Sequence, residues 1–576
     1  MMHSSSLRVV GTSPPRLDAR EKVTGRTSYT TDLVISGMVH AKIWRSPLPH
    51  AQVEHLDTRA ALAAPGVLAV LTAEDLTDCD PFYGTVCKDQ PLLAMDRVRY
   101  AGEPVAVVIA ETERQAAAAL PLLEIILTEL PAVLDPEAAL VPEAPLVHEH
   151  VRPAGDFGDL PNLNPVSGTN ICHHYTYTRG DGTWGFAKAD EIFEDTYWLP
   201  PIYHYAMEPH AAIARYEVTG LTIWTATQHP FPVRKELAEI FGLSLAAVQV
   251  VVPPVGGAYG SKCYTKIEPL TAACSRKVRR PVRLALTVTE ACQTITRHAA
   301  ICRMKTGVRR DGILVARQCD ILLDTGAYAD VGPQLATRVG FLAAGPYRIP
   351  HVQITCRAVY TNRVPAGAFR GYGTPQVTWA SESQLDRIAD QLHLNPLELR
   401  QRNVLERGEE FAAGALPMDT DLPEGLRRTA AAVEWHMPPG SHRGKGLACA
   451  FKDGGTPNSV STAVVRVHAD GSVTLFTGAI EHGQGSATAL AQVVAEALGV
   501  PIECVTVTTP DTALTPYDQG TSASRTTTLV GRAVYVASQD ARAQLIEMAA
   551  DLVGVAPETI QVQEGGLIAK GQRLTL

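Results

Sequence analysis

No run of apolar residues in this 576-residue chain reaches the roughly eighteen needed to cross a bilayer as a helix, and the opening stretch MMHSSSLRVVGTSPPRLDAR lacks the apolar core of a secretory leader. A cytoplasmic protein with no membrane partner is therefore expected. No Cys-x-x-Cys pair occurs. The eleven cysteines stand scattered from Cys79 to Cys504, so the chain encodes neither an iron–sulfur cluster nor a zinc knuckle of its own, and reduced thiols are expected. The eighteen histidines form no His-Glu-x-x-His, and the adjacent His173 and His174 point different ways on a strand or a helix alike. Ordinary surface or hydrogen-bonded histidines are expected. A net charge of -9 gives no basic footprint, which argues against nucleic acid as a partner.

What is present is a soluble composition on a long chain. With 45% apolar and 19% charged residues the protein is globular, and 576 residues exceed what one core can organise, so about two to four domains are expected. Behind a tail at 1–17, residues 18–135 alternate β-rich runs such as VHAKIW and PVAVVIA with a helical stretch, ETERQAAAALPLL, and read as an α+β module. A proline-rich linker without periodicity spans 136–168, and a second, opening RGEEFAAGALPMDTDLPEG, spans 407–440. They leave two larger parts, 169–406 and 441–576.

These two parts share a spacing. In the first, TGLTIWTATQHPFPVRKELAEIFGLSLAAVQVVVPP gives strand, Gln228, helix, Gly242 and a strand ending at Pro253. In the second, DGSVTLFTGAIEHGQGSATALAQVVAEALGVPIECVTVTTP gives strand, Gln484, helix, Gly499 and a strand ending at Pro510. Glutamine to glycine is 14 residues in one (242 − 228) and 15 in the other (499 − 484), and glycine to proline is 11 in both (253 − 242, 510 − 499). A duplicated strand–helix–strand unit is inferred, each copy ending in a loop poor in large side chains, with the two loops facing one another.

The first of those loops, VVPPVGGAYGSKCYTK, is not a phosphate loop: Ser261 rather than glycine precedes Lys262. Nor is it a dinucleotide fingerprint, since Gly256 and Gly257 are adjacent and Gly260 follows three on. Either it is a tight turn or it lets something bulky approach the backbone. Three more stretches suit a ligand. VPAGAFRGYGTPQ sets Phe369 and Arg370 among glycines, where Arg370 offers planar paired donors. EHGQGSATALAQ puts Gln484 at a helix start, where its amide and the helix N–H groups suit a phosphate or heterocycle. GTSASRTTT supplies Arg525 and a run of hydroxyls for phosphate oxygens. Singly, each is also an ordinary polar turn or helix cap.

In this order the stretches resemble the molybdenum-binding large subunit of the xanthine dehydrogenase and aldehyde oxidase family. RLDAREKVTGRTSYTTDL, MVHAKIWRSPLPHAQV and VRYAGEPVAVVIAET are similar to its N-terminal hammerhead domain, while MEPHAAIA, VGGAYGSK, GPYRIP, VYTNRVPAGAFRGYGTPQ and IEHGQGSATALAQ are similar to its two molybdopterin-binding domains. The resemblance implies an α+β protein: an α/β hammerhead domain at 18–135 and molybdopterin-binding α+β domains at 169–406 and 441–576, the second incomplete. It implies molybdenum held through a pterin dithiolene, with no protein metal ligands, in a dinucleotide cofactor whose cytosine form is expected. Gly256, Gly257, Ala258, Tyr259 and Gly260 would line the metal centre. Gln484 would hydrogen-bond the pterin, with Gly483 and Gly485 letting it lie against the backbone. Phe369 and Arg370 would sit beside the metal's oxygen ligands, and Ser522, Ala523, Ser524 and Thr526 on the far side. Arg338 would orient substrate and Tyr372 stack on it, so Arg370, Arg338 and Tyr372 form the implied catalytic set. The implied reaction is hydroxylation of an aldehyde or an electron-poor (hetero)aromatic carbon with oxygen from water. Electrons would pass to a partner subunit with [2Fe–2S] centres, with a flavin subunit carrying FAD as a further candidate.

Several positions depart from the family pattern. Cys263 stands where purine oxidisers place a glutamate, VPAGAFRG has no copper-binding cysteine, and PPIYHYAMEP lacks the glutamine that often faces the oxo ligand. The sequence ends at GGLIAKGQRLTL, before the family's glycine-flanked catalytic glutamate. A further chain carrying the missing segment is an expected partner, activity of this chain alone is doubtful, and ETIQVQEGGLIAKGQRLTL reads as two strands and a turn lacking partners. The rival reading is a non-catalytic remnant or assembly subunit that keeps the fold and binds partners.

Overall fold

The computed structural model describes residues 7–150, 163–412, 414–452, 459–563 and 566–575. Residues 1–6 of the expected tail, 151–162 of the first linker and 413 of the second lie outside the described residues.

Two large sheets organise the first three quarters of the chain. One has seven strands in the order Val248–Val251, Gly220–Thr225, Ala211–Glu217, Val282–Ala285, Val39–Arg45, Pro104–Ala110, Val67–Leu71. Its valine- and isoleucine-rich strands are buried on both faces, as PVAVVIA is along nearly its whole length. Val107 and Ile109 point into the larger core, while Ala106, Val108 and Ala110 pack on Ala116 and Ala119 of the helix Glu113–Ala119. The N-terminal module is not a separate body. Val39 pairs in parallel with Val282, His40 with Arg283 and Ala41 with Leu284, so the sheet runs unbroken from the module into the part that carries the glycine loop.

The second sheet has five strands, ordered Glu191–Leu199, Ala299–Val308, Leu314–Gly326, His351–Tyr360, Ile171–Arg179. Helices Gly332–Leu342 and Thr374–Gln391 lie on it, with Leu335, Val339, Val377, Leu385 and Ile388 in one core with Ile321, Ile354 and Cys356. On the strand Ile171–Arg179 His173 is buried and His174 is not, and His173 takes the Asn164 N–H and meets the Thr337 hydroxyl. Among the described residues no cluster of histidine, cysteine or carboxylate side chains is arranged to hold a metal ion, and no helix is long and apolar enough to cross a membrane.

The remaining part holds the sheet Ala463–Val467, Val473–Thr477, Val505–Val507 beneath helices Ser486–Leu498 and Gly531–Val553. The two strand–helix–strand units have the same geometry. Gly220–Thr225 and Val248–Val251 pair in parallel across helix Pro230–Ile240, as Val473–Thr477 and Val505–Val507 do across Ser486–Leu498. Their ends meet directly: Val252 N donates to Pro510 O at 2.9 Å and Thr512 N to Val250 O at 3.0 Å. The last stretch differs from expectation. It forms three strands, Gln561–Gln563, Gly566–Ala569 and Gln572–Thr575, that pair with one another as an antiparallel meander and pack Leu567 and Ala569 on Ala549 and Ala550. A tight turn at Lys570–Gly571, both with φ near +50° to +75°, supplies the partner within the stretch itself.

Candidate functional site

The glycine loop is shaped by close backbone approach. A Cβ on Gly256 would lie 2.5 Å from the Glu208 Cβ, and one on Gly260, whose φ is +109°, would lie 2.4 Å from the Ala368 carbonyl oxygen. Only glycine lets the loop press against both neighbours. Gly257 and Ala258 are buried, Tyr259 is exposed, and the Tyr259 carbonyl accepts from Arg370 N at 2.8 Å, which binds the loop to the Phe369–Arg370 segment.

Lys262 does not face a ligand. Its ammonium is buried against Glu208 at 2.9 Å, and the same Glu208 oxygen takes the Gly256 N–H at 2.8 Å. Two buried histidines complete the floor. His210 Nε2 donates to Ser261 O at 2.9 Å and His204 Nε2 to Ala368 O at 2.8 Å, which fixes the Nε2–H tautomer of each. Burial pushes them down to about 3 and about 4 respectively, so both are neutral.

Gln228 joins the loops of the two units. Its Oε1 accepts from Gly260 N at 3.0 Å, its Nε2 donates to Thr521 O at 2.7 Å, and its own carbonyl accepts from Thr521 N at 3.0 Å. Next to it, His229 Nδ1 accepts the Tyr264 N–H, so Nε2 is the donor that meets Ser522 Oγ at 3.2 Å. The imidazole stacks on Tyr264 with centroids 4.4 Å apart. Gly520 leaves room for it: a Cβ there would lie 1.7 Å from His229 Cδ2. Sequence reading singled out Gln228 only as a repeat marker and missed it as a bridging residue. The usable signal was its place between a strand end and a proline-started helix, matching that of Gln484.

The Gly483–Gln484–Gly485 turn joins at one remove, since Ile480 N donates to Thr521 Oγ1 at 2.7 Å and Gln484 Nε2 donates to Ile480 O at 2.8 Å. The helix start differs from its reading. The N–H groups of Gly483, Gly485 and Ala487 all donate to the Glu481 carboxylate, at 2.9, 3.0 and 3.1 Å. An internal anion therefore satisfies the donors read as a phosphate seat. Arg525 is likewise withdrawn, buried against Asp518 at 2.7 Å. Ala523 and Ser524, both at positive φ, remain exposed, and Thr526 opens a short π-helical turn.

On the other flank Tyr372, φ +47°, donates its hydroxyl to Gln334, and its N–H bonds Phe369 O at 2.7 Å. Arg338 is half-buried four residues beyond Gln334 on helix Gly332–Leu342, hence on the same face. Cys263 is buried with Val331 and Ala368, Tyr372 packs against this cluster, and burial pushes the thiol up to about 12. Phe369 packs its ring 4.4 Å from His204.

Known proteins match nearly the whole chain. Residues 24–131 match the family model described as aldehyde oxidase and xanthine dehydrogenase, a/b hammerhead domain, and residues 163–404 and 423–576 match two molybdopterin cofactor-binding domain models. A probable xanthine dehydrogenase subunit of Bacillus subtilis is 35% identical over 573 residues, covering 97% of this chain and 74% of that protein. The nicotinate dehydrogenase large molybdopterin subunit of Eubacterium barkeri is 33% identical over 409 residues, 71% of this chain and 92% of its own length. Among solved structures, quinoline 2-oxidoreductase from Pseudomonas putida superposes with a TM-score of 0.84 at 28% identity, covering 98% of this chain and 74% of that one. With all three models matched in order around loops that converge on Gln228, the chain belongs to the aldehyde oxidase and xanthine dehydrogenase family of molybdopterin-binding hydroxylase subunits.

Proposed function

We propose that this chain carries the molybdopterin of a multi-subunit hydroxylase that places water-derived oxygen on an aldehyde or electron-poor (hetero)aromatic carbon. Convergence of the glycine loop, the Phe369–Arg370 segment, the Gly483–Gly485 turn and the 520–526 loop, tied together by buried Gln228, carries this reading. The residues present fit a bulky polar heterocycle. Gln484 and Arg370 are exposed, and a Cβ on Gly483 would meet nothing within 4 Å, so space stands open beside the turn. A bound molybdenum–pterin centre supplies Lewis acidity that makes water a nucleophile near neutral pH and takes up two electrons.

The protein's own groups have narrower tasks. Gly257 and Gly260 shape the backbone against which the cofactor lies. Gln484, whose Nε2 is spent on Ile480 O and Ser486 Oγ, offers the remaining lone pair of an Oε1 that takes the His482 N–H. Ser522, Ser524 and Thr526 offer hydroxyls on the far side to a dinucleotide, for which the cytosine form is proposed. Arg370 stands ready for an anionic or carbonyl oxygen, and Arg338 with Tyr372 orients substrate. Scattered cysteines support the assignment of electron transfer to iron–sulfur and flavin partners.

Elemental analysis of the chain co-produced with its partner subunits tests the proposal. Molybdenum near one per chain is expected in the native complex and a several-fold lower content in Gln484→Ala; a folded, assembled native complex without molybdenum overturns the reading. Substrate choice follows from Cys263. A neutral thiol in an apolar cluster cannot replace a carboxylate that anchors a purine, and losing such a bond costs on the order of 1 to 3 kcal/mol. Xanthine is expected to be a poor substrate in a panel of purines, aldehydes and aromatic heterocycles, and xanthine emerging as the best of them refutes this.

A further inference from the structure

Residues 7–18, which precede all three matched family regions, lie along the helix Ser486–Leu498 nearly five hundred positions away. The N–H groups of Arg8, Val9 and Val10 converge on one oxygen of Glu496, at 3.0, 2.7 and 3.1 Å. Gln492 Nε2 donates to Val9 O at 2.9 Å, and Leu17 N donates to Thr488 Oγ1 at 3.1 Å. Glu496, Gln492 and Thr488 are spaced by four, so the segment tracks one face of the helix towards its start.

Just beyond that start lies the Gly483–Gln484–Gly485 turn, and there the segment ends in a fixed arginine. The Arg16 guanidinium is held by Asp18 through two bonds of 2.9 Å, Nε to Oδ1 and Nη2 to Oδ2. Its Nη1 donates to Gly483 O at 2.8 Å and its Nη2 to Glu481 at 3.2 Å. Arg16 thus touches both the carbonyl on the outside of the turn and the carboxylate whose oxygens gather the turn's own N–H groups. The hydrogen bond from Arg16 holds the Asp18 carboxyl down to about 2, so the fork persists at any physiological pH.

We infer that residues 7–18 are a clasp that sets the shape of the Gly483–Gln484–Gly485 turn, with Arg16 as its positioning residue and Glu496 as its anchor. The inference rests on the reading of that turn as part of the cofactor site. With Arg16 in place the turn is closed from both sides, its N–H groups on Glu481 and its carbonyl on Arg16, and the Gln484 amide is held within it, Nε2 donating to Ile480 O and Ser486 Oγ and Oε1 accepting the His482 N–H. Without it, Glu481 retains its bonds from the turn but loses its cation, and Gly483 O returns to water.

Amide hydrogen exchange on the full-length chain, with molybdenum retention after gel filtration as the second measurement, tests the clasp. In Arg16→Ala, exchange across 481–488 is expected to rise about tenfold while the five-stranded sheet is unchanged. Glu496→Gln, which touches neither Arg16 nor the turn, is expected to shift exchange in the same direction. Arg16→Lys, which keeps the charge without the fork, restores only part. Molybdenum retention falls in step. Exchange and retention within about twofold of the native chain for both Arg16→Ala and Glu496→Gln overturn the clasp. Should Arg16→Ala fail to fold, Glu496→Gln and Arg16→Lys decide on the same criterion. Faster exchange in the variants of a native chain that holds no molybdenum keeps the clasp and removes the cofactor reading on which its function rests.

Discussion

Glu208→Gln lowers the stability of the chain by about 3 to 5 kcal/mol, because it leaves the Lys262 ammonium buried without its counter-charge. The pair is the most enclosed beneath the glycine loop, with side-chain exposures of 1% for Lys262 and 7% for Glu208, so little solvent is at hand to replace the missing partner. Burial already holds the Lys262 pKa below the ordinary lysine range even with Glu208 beside it. Gln keeps an oxygen for the Gly256 N–H, so the effect reports the charge rather than the hydrogen bond. Lys262→Met, which strands the carboxylate instead, is expected to cost a similar amount. The double variant should cost less than either single one, since it removes both buried charges and leaves neither ion without its partner. Denaturant unfolding followed by tryptophan fluorescence measures all three. Single variants within about 0.5 kcal/mol of the native chain would show that the pair is not what holds the loop down.

Two buried carboxyls are expected to make stability fall as pH rises from about 6.5 to about 8. Below about pH 6.5 the buried neutral histidines, His204 at about 4 and His210, His229 and His298 at about 3, act in the opposite sense, because the unfolded chain protonates them and the folded chain does not. Burial raises the Asp89 and Glu103 carboxyls to about 7 each, Asp89 accepting from Ala329 N and the Tyr360 hydroxyl, Glu103 from Arg99 N and the Tyr328 hydroxyl. Both folded values lie above the unfolded ones. Below about pH 4 both states hold the proton and the contribution is fully present; as pH rises through the folded values the unfolded chain has already released its protons and the contribution is lost. Each group accounts for on the order of 3 kcal/mol between those limits. Carboxylates held low, such as Asp18 at about 2, act in the opposite sense, but only below about pH 4. Asp89→Asn with Glu103→Gln should remove the fall between about pH 6.5 and 8, as read by unfolding free energy at each pH. An unchanged slope in the double variant would show that neither carboxyl binds a proton in the folded state.

Local pattern made much of the fold legible. PVAVVIA and VHAKIW are strands because β-branched and apolar side chains fit a buried pleat, and the repeat of glutamine, helix, glycine and proline announced two parallel strand–helix–strand units. What local pattern could not carry is pairing at a distance. Nothing in Val39–Arg45 points to Val282–Ala285 as its neighbour, because a strand's edge bonds through backbone that every residue shares. The site divides the same way. Glycine clusters marked the loops, since close approach leaves a residue-specific trace. The Gln228 to Thr521 bond, across 293 positions, leaves none. Glu481 was misread by omission: a carboxylate five residues before a helix start (486 − 481) is ordinary in sequence, and only the folded turn shows it consuming the donors that a phosphate would need.

The unbroken seven-stranded sheet sets a timetable for synthesis. Arg45, the end of the strand Val39–Arg45, is added 237 residues before Val282 (282 − 45), yet the latter's strand is its partner on one side. At about 5 to 20 residues per second that edge waits roughly 10 to 50 s with its backbone donors and acceptors open, long compared with the microseconds in which a hairpin closes. During that interval the nascent N-terminal module is a strand short, and any chaperone or neighbouring polysome that meets it first meets an adhesive edge.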